Sequence, residues 1–231
     1  MSLVEIKKQS AEQLATDSVR DYILSGQIAP GARLTEAFLA DRFALSRATV
    51  RGALQRLQQE GLLVLVPYTG WTVMAMTAHD AWELYTLRAS LESLASRLAS
   101  EKITMAGKAR LSKAFERLKE ASASGDRMRI SVADFELHKK IVELSQHARL
   151  AQQYQFVEQQ IRVYITWSDY IPAEVSKTVI AHHGPIVQAI IDGDADTAAR
   201  LSGEHNVAAG RKLVAYLESI PMAGVDIDQA D

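Results

Sequence analysis

The sequence predicts a mainly α protein: an N-terminal winged helix-turn-helix followed by an all-α antiparallel helical bundle. Three observations carry this. Residues 11–75 read in the order helix, helix, helix, hairpin. After Thr77 strand-like runs vanish and only helical periods remain. The composition, 48% hydrophobic and 23% charged over 231 residues, is that of a globular chain with room for two cores.

Each element has its own signal. Leu14, Val19, Tyr22, Ile23 and Leu24 recur with helical period over 11–25. "SGQIAPGARL" interrupts with two glycines and a proline. "TEAFLADRF" restarts a short helix, with Thr35 as N-cap and Glu36 in the first turn. "ALS" is a turn, and Ser46 caps a helix that runs to about Glu60, where Gly61 stops it. "LLVLV" and "WTVMA" are strands joined through "PYTG". Thr77 caps a long helix whose buried stripe is expected at Leu84, Leu87, Leu91, Leu94 and Leu98. Helical patterns cover 104–123, 127–146, 148–170, 174–192 and 194–218, with breaks at "SGD", "SQH", "IPAE" and "DGD". The expected division is 1–76, 77–220 and a flexible tail, 221–231, whose "PMAGVDIDQAD" has no apolar period.

Several classes are excluded. There is no cysteine, hence no disulfide and no thiol catalysis, which suits a reducing cytoplasm. "MSLVEIKKQS" lacks the apolar core of a signal peptide, and no apolar run approaches the length of a membrane span. With a net charge of −2, any attraction to nucleic acid must come from a local patch.

One such patch exists. Arg42, Arg47, Arg51 and Arg56 fall in a stretch, 42–59, that has no Asp or Glu. With Val50, Leu54 and Leu57 as the buried stripe, Ser46, Arg47, Thr49 and Arg51 lie at the start or on the flank of the third helix. That is where a recognition helix meets base edges and phosphates. Arg56 points elsewhere. Thr69 and the "PYTG" backbone sit where a wing approaches the duplex. The bland alternative is a solvated cationic helix.

A second constellation lies on apolar stripes of the bundle. Asp134 and His138, four apart in "DFELH", share a face with Ile130, Leu137 and Ile141. His183 lies among Val179, Ile180, Ile186, Val187 and Ile190, and His205 among Ala198, Leu201 and Ala208. Ionisable groups pointing into a core need partners. One Asp and three His form a ligand set for a divalent transition metal such as Zn²⁺ or Ni²⁺; alternatively they are core residues held by hydrogen bonds. His182 is a weaker candidate, and His79 and His147 read as surface. Arg88 and Arg162 are candidates to clamp a carboxylate, Arg88 competing with an ion pair to Glu92 four residues on. Asn206 is placed to bond an effector or support the metal ligands. Tyr164 and Trp167 line either a pocket or the core.

Residues 11–75 resemble the DNA-binding domain of GntR-family transcription regulators, through "ILSGQIAPGARL", "LADRF", "LSRATVRGALQRL", "EGLL" and the Gly70 wing. The resemblance implies DNA contacts from Ser46, Arg47, Thr49, Arg51 and Gly70. Two positions depart from the family pattern: Ala48-Thr49 stands where Thr-Pro is frequent, and Gly52 where Glu is. The remainder is similar to the FadR-type ligand domain, through "LYTLRASLE", "DFELHKKI", "HGPIVQAIIDGDADTAARL" and "EHN". That implies a metal on Asp134, His138, His183 and His205, facing a cavity for a small organic acid. The function so implied is a homodimeric repressor on a palindromic operator, not an enzyme and not at a membrane. A metal-dependent hydrolase and a regulator with a purely structural metal are the alternatives.

Overall fold

The computed structural model describes residues 9–167 and 175–219. The expectations for the first residues, the "IPAE" break and the tail at 221–231 lie outside the described residues. The chain divides into two compact units, Met1–Ala75 and Met76–Asp231.

In the first unit α1 (Ala11–Leu24), α2 (Glu36–Phe43) and α3 (Arg47–Gln59) precede a hairpin of β2 (Leu63–Val66) and β3 (Gly70–Val73). Thr35 and Ser46 are the N-caps, accepting from the backbone N–H of Phe38 and Thr49. The core gathers Val19, Ile23, Leu39, Val50, Leu54, Leu57, Leu62 and Trp71. Burying a leucine such as Leu54 or Leu57 contributes about 1.5–3 kcal/mol. Leu14 and Tyr22 stay largely exposed, because α1 turns Ala15, Thr16, Val19 and Ile23 inward. A two-residue strand, β1 (Arg33–Leu34), pairs antiparallel with β3 and makes a three-stranded sheet of order β1-β3-β2. Two residues carry no readable period, so this strand falls within the segment that the glycines and proline mark as a break.

The second unit contains α4 (Ala78–Lys102), α5 (Met105–Ser124), α6 (Arg127–Leu144), α7 (Ala148–Trp167), α8 (Val175–Asp192) and α9 (Ala195–Ser219). Thr77 and Asp80 form a reciprocal capping box at the start of α4. α4 is the central helix, in contact with α6, α7, α8 and α9. Its inward face corrects the expectation: Ala81, Tyr85, Arg88, Glu92, Ala95 and Ala99 are buried, while Leu87 and Leu94 are 49% and 43% exposed. Small residues allow close packing, with Tyr85 lying directly over Gly210 of α9. The remaining inward positions go to a polar network rather than to leucine. Among the described residues no helix is long and apolar enough to cross a membrane.

Candidate nucleic-acid interface and metal centre

The third helix presents its arginines outward. Arg47 and Arg51 are exposed while Val50, Ala53, Leu54 and Leu57 face the core. Arg51 donates two hydrogen bonds to Glu36, Nε to Oε1 and Nη2 to Oε2, both at 2.8 Å. Trp71 Nε1 holds Oε1 of the same carboxylate at 3.2 Å. These bonds, Arg51 foremost, hold the Glu36 carboxyl below its usual range despite the opposing effect of burial. Arg51 is thus held on a carboxylate that Trp71 of β3 also binds. Ser46 is engaged as N-cap and shares a 2.9 Å hydrogen bond with the Thr49 hydroxyl.

Arg56 does point away, and its partners lie on α1: Nε pairs with Glu12 at 2.6 Å and Nη1 donates to Gln13 at 2.8 Å. The Glu12 side chain crosses α3 at Gly52, where an added Cβ would lie 2.9 Å from its carboxyl group. The missing side chain at Gly52 therefore makes room for the acid that neutralises Arg56. At the wing, Thr69 and Gly70 follow Tyr68, which is fully exposed with φ of 65°. The sequence signal for Tyr68 is an aromatic residue in the turn between two strands.

In the bundle, α6, α8 and α9 bring three imidazoles together. Ligand nitrogens of His138, His183 and His205 all lie within 4.8 Å of one another. Asp134 Oδ1 is 3.0 Å from His183 Nε2, and Oδ2 is 3.8 Å from His138 Nε2. The four expected ligands are therefore neighbours. His182 is exposed at the edge, its ring 6.3 Å from that of His205. His79 and His147 are at the surface, as read.

The tautomers follow from the outer partners. His138 Nδ1 lies 2.6 Å from Glu92 Oε2, and His183 Nδ1 lies 2.7 Å from the Val179 carbonyl oxygen. A carboxylate and a carbonyl only accept, so both Nδ1 atoms donate. Both Nε2 atoms then turn lone pairs toward each other at 3.0 Å. Two acceptors at that distance require a cation between or upon them, a proton or a metal ion. This is the donor set and the outer support that a divalent transition metal takes.

The electrostatics agree. Burial works against the charge on Glu92, yet Arg88 and His138 hold its carboxyl well below the usual range. Asp134 is held low in the same way, by His183 and then His138, against burial. For His183 burial favours the neutral ring, but Asp134 overrides it and lifts the group above its ordinary value. Burial, reinforced by His183 and His138, keeps His205 well below its ordinary value and therefore neutral.

Behind the histidines lies the polar network of α4. Glu92 accepts from Arg88 Nε at 2.6 Å and from Asn206 Nδ2 at 2.8 Å, besides His138. Arg88 thus makes the ion pair that the sequence offered as an alternative. Its Nη2 is nonetheless buried and has no hydrogen-bond partner among the described residues. Arg88, Tyr85, Asp134, Phe135, His183 and His205 all line one cavity of about 770 Å³. Most of its wall is apolar, from Ile130, Ile165, Val179 and Leu201 among others. Asn206 is fully buried beside Glu92 and does not line the cavity. Arg162 does not line this cavity, and its charge acts on Glu158. Tyr164 is buried core; the side chain of Trp167 lies outside the described residues. Glu92 escaped the sequence reading as a support for His138, because its partners lie on α6 and α9, far along the chain.

Comparison with known proteins places both units. Residues 11–73 match the model of bacterial regulatory proteins of the gntR family, and residues 83–208 match the FCD domain. A Paenarthrobacter nicotinovorans protein titled "Probable D-xylose utilization operon transcriptional repressor" is 26% identical over 228 residues, 96% of each chain. The Nta operon transcriptional regulator of Aminobacter aminovorans is 32% identical over 143 residues, 61% of this chain and 66% of that one. The fold is shared with Escherichia coli McbR/YncC, at a TM-score of 0.74 and 23% identity, covering 91% of this chain and 98% of the other. A GntR regulator from Rhodococcus sp. RHA1 gives 0.72 and 23%, covering 92% and 100%. Two family models in tandem, over a helix-turn-helix and a histidine-bearing bundle, establish that the chain belongs to the GntR family of transcriptional regulators, in the subgroup that carries an FCD domain.

Proposed function

We propose that this regulator is a metabolite-controlled repressor, acting in the cytoplasm as a homodimer on a palindromic operator. In this reading residues 1–76 bind DNA, and residues 77–220 bind an organic acid at a divalent transition-metal site. The observation that carries it is the pair of Nε2 lone pairs facing each other at 3.0 Å with both Nδ1 protons committed elsewhere. Asp134, His138, His183 and His205 would hold the ion, with Zn²⁺ and Ni²⁺ suited to such ligands. When bound, it supplies a fixed positive charge to which a carboxylate can be drawn. Glu92 and the Val179 carbonyl fix the ring orientations, and Asn206 supports Glu92.

Arg88 offers its unpartnered Nη2 as a second anchor for that carboxylate. The apolar wall favours an acid with a sizeable apolar body over a compact polyacid. Asp134 and His205 are partly exposed and line the cavity, which favours an effector-facing metal over a purely structural one. On the DNA side Arg47, Thr49 and Arg51 approach base edges, Ser46 fixes the helix start, and Thr69 and Gly70 bring the wing to the backbone. The repressor named among the relatives supports the sign of regulation. Effector and operator affinities are then reciprocally linked.

The test is elemental analysis of purified protein before and after chelation, with thermal shift of both forms against carboxylic acids. The expected result is bound metal, an acid that stabilises only the metal-loaded form, and loss of metal in His183→Ala. Absence of metal after reconstitution with Zn²⁺ and Ni²⁺ would return the four residues to the role of a hydrogen-bonded core.

A further inference from the structure

Arg51 projects from the outer side of α3, yet its Nε and Nη2 are already engaged by Glu36. An isolated ion pair at the surface would hold such a side chain weakly. Here the carboxylate is itself fixed. Glu36 is the first residue of α2 and follows Leu34 of β1 by two residues. Its Oε1 also accepts from Nε1 of Trp71, which is buried. Trp71 is held in the sheet, paired with Leu34 of β1 on one side and Leu65 of β2 on the other. The acid is therefore tied near β1 through its backbone and to β3 through its head group.

This arrangement selects the contact that Arg51 can make. A guanidinium carries five N–H groups in one plane. Glu36 occupies the edge formed by Nε and Nη2. The other edge, Nη1 with the second proton of Nη2, still presents two parallel donors. Two parallel donors match N7 and O6 of guanine in the major groove. Phosphate is the poorer partner, because Glu36 already balances the charge of Arg51. Phosphate contacts draw on net positive charge, whereas base contacts draw on donors held in place.

We propose that Glu36 is a positioning residue for sequence readout: together with Trp71 it orients Arg51 so that the guanidinium donates end-on to one guanine of the operator. The bidentate pair fixes the plane of the guanidinium before DNA arrives, so the donors do not have to be ordered on binding. Placed beside the duplex, the same carboxylate repels phosphate. It therefore lowers affinity for DNA in general while it sharpens the choice of base at one position. The proposal rests on the reading that Arg51 meets base edges, but not on the metal, the effector or the oligomeric state.

The probes are duplexes carrying a site that the full-length wild type selects from a randomised pool. Each guanine in turn is replaced by 7-deazaguanine, which lacks the N7 acceptor. The wild type should lose at least ~5-fold in affinity at one guanine. Arg51→Lys keeps the charge but not the fork, and Glu36→Gln keeps the fork but not its anchor. In both variants the loss at that guanine should shrink below ~2-fold while losses at other guanines persist. Affinity of Glu36→Gln for an unrelated duplex should not fall, whereas a merely structural role for Glu36 would lower all binding together. Glu36→Asp draws the carboxylate back by one methylene; it should lose the same discrimination, and it carries the test should the glutamine variant lose its helical signal. Discrimination at every guanine equal to wild type in Glu36→Gln and Glu36→Asp overturns the positioning role. Wild-type affinity and discrimination in Arg51→Lys assign Arg51 to phosphate and overturn the guanine contact, with the reading of α3 as a DNA-contacting helix intact. Operator binding unchanged in Arg51→Ala overturns that reading itself.

Discussion

Glu92→Gln is the most informative single change in the bundle. The carboxylate is 1% exposed and accepts from three groups at 2.6–2.8 Å: Arg88 Nε, His138 Nδ1 and Asn206 Nδ2. Glutamine keeps the shape but removes the negative charge and replaces one acceptor oxygen with a donor. Arg88, itself 3% exposed, then loses its paired charge inside the core. Removing one member of a buried ion pair costs roughly 3–5 kcal/mol, a large share of the ~5–15 kcal/mol that holds a domain. The same change leaves His138 Nδ1 without a charged acceptor, and loss of such an outer partner weakens metal binding about 10- to 100-fold. Urea unfolding of the chelated protein measures the first effect, and competitive Zn²⁺ titration measures the second. A variant destabilised by less than ~1 kcal/mol with unaltered Zn²⁺ affinity would refute the reasoning, since both effects run through one carboxylate.

Three further outcomes are expected. Arg51→Ala should abolish specific operator binding, by more than ~100-fold in a gel-shift titration, while the fold survives by circular dichroism despite loss of the Glu36 pair; unchanged binding removes Arg51 from the interface. Gly210→Ala should destabilise the bundle by about 1–3 kcal/mol, because its Cβ would fall 2.5 Å from that of Tyr85 and overpacking outweighs the gain in helix propensity; a variant as stable as wild type in urea would show that α4 and α9 can separate freely. Metal uptake should release a proton, because Asp134 lifts His183 above its ordinary value and the ion must displace that proton. Apparent affinity should then fall about tenfold per pH unit as pH drops below that raised value. Constant affinity from pH 8 to pH 6 would show that no proton competes.

The helices were legible because their stops and starts are local. Thr35, Ser46 and Thr77 cap where a hydroxyl precedes a helical period, and Gly125 takes the left-handed conformation that ends α5. The four candidate ligands were legible because each shares a stripe with apolar neighbours. What could not be read depends on residues far apart in the chain. Leucine periodicity on α4 marks only the edge of the inward face, with Leu91 packed on the core and Leu87 and Leu94 exposed, since the centre is built from Tyr85, Arg88 and Glu92, and the partners of Glu92 include residues of α6 and α9. Arg162 has the same local pattern as Arg88, and only packing separates a cavity residue from one beside Glu158. The pairing of Arg51 with Glu36 joins two helices across a turn and leaves no trace in either helix alone.

Stiffness is distributed unevenly around the cavity. α9 is locked against α4 where Gly210 admits Tyr85, so neither helix can slide without a clash. α8 instead carries Pro185 in its interior, two residues after His183. A proline cannot donate to the carbonyl four residues earlier, so the ladder lacks a rung at Ala181, and both residues face the cavity. Proline is where helices bend. Strain introduced at His183 would therefore be absorbed by flexing α8, while α4 and α9 serve as the frame against which that flexing is registered.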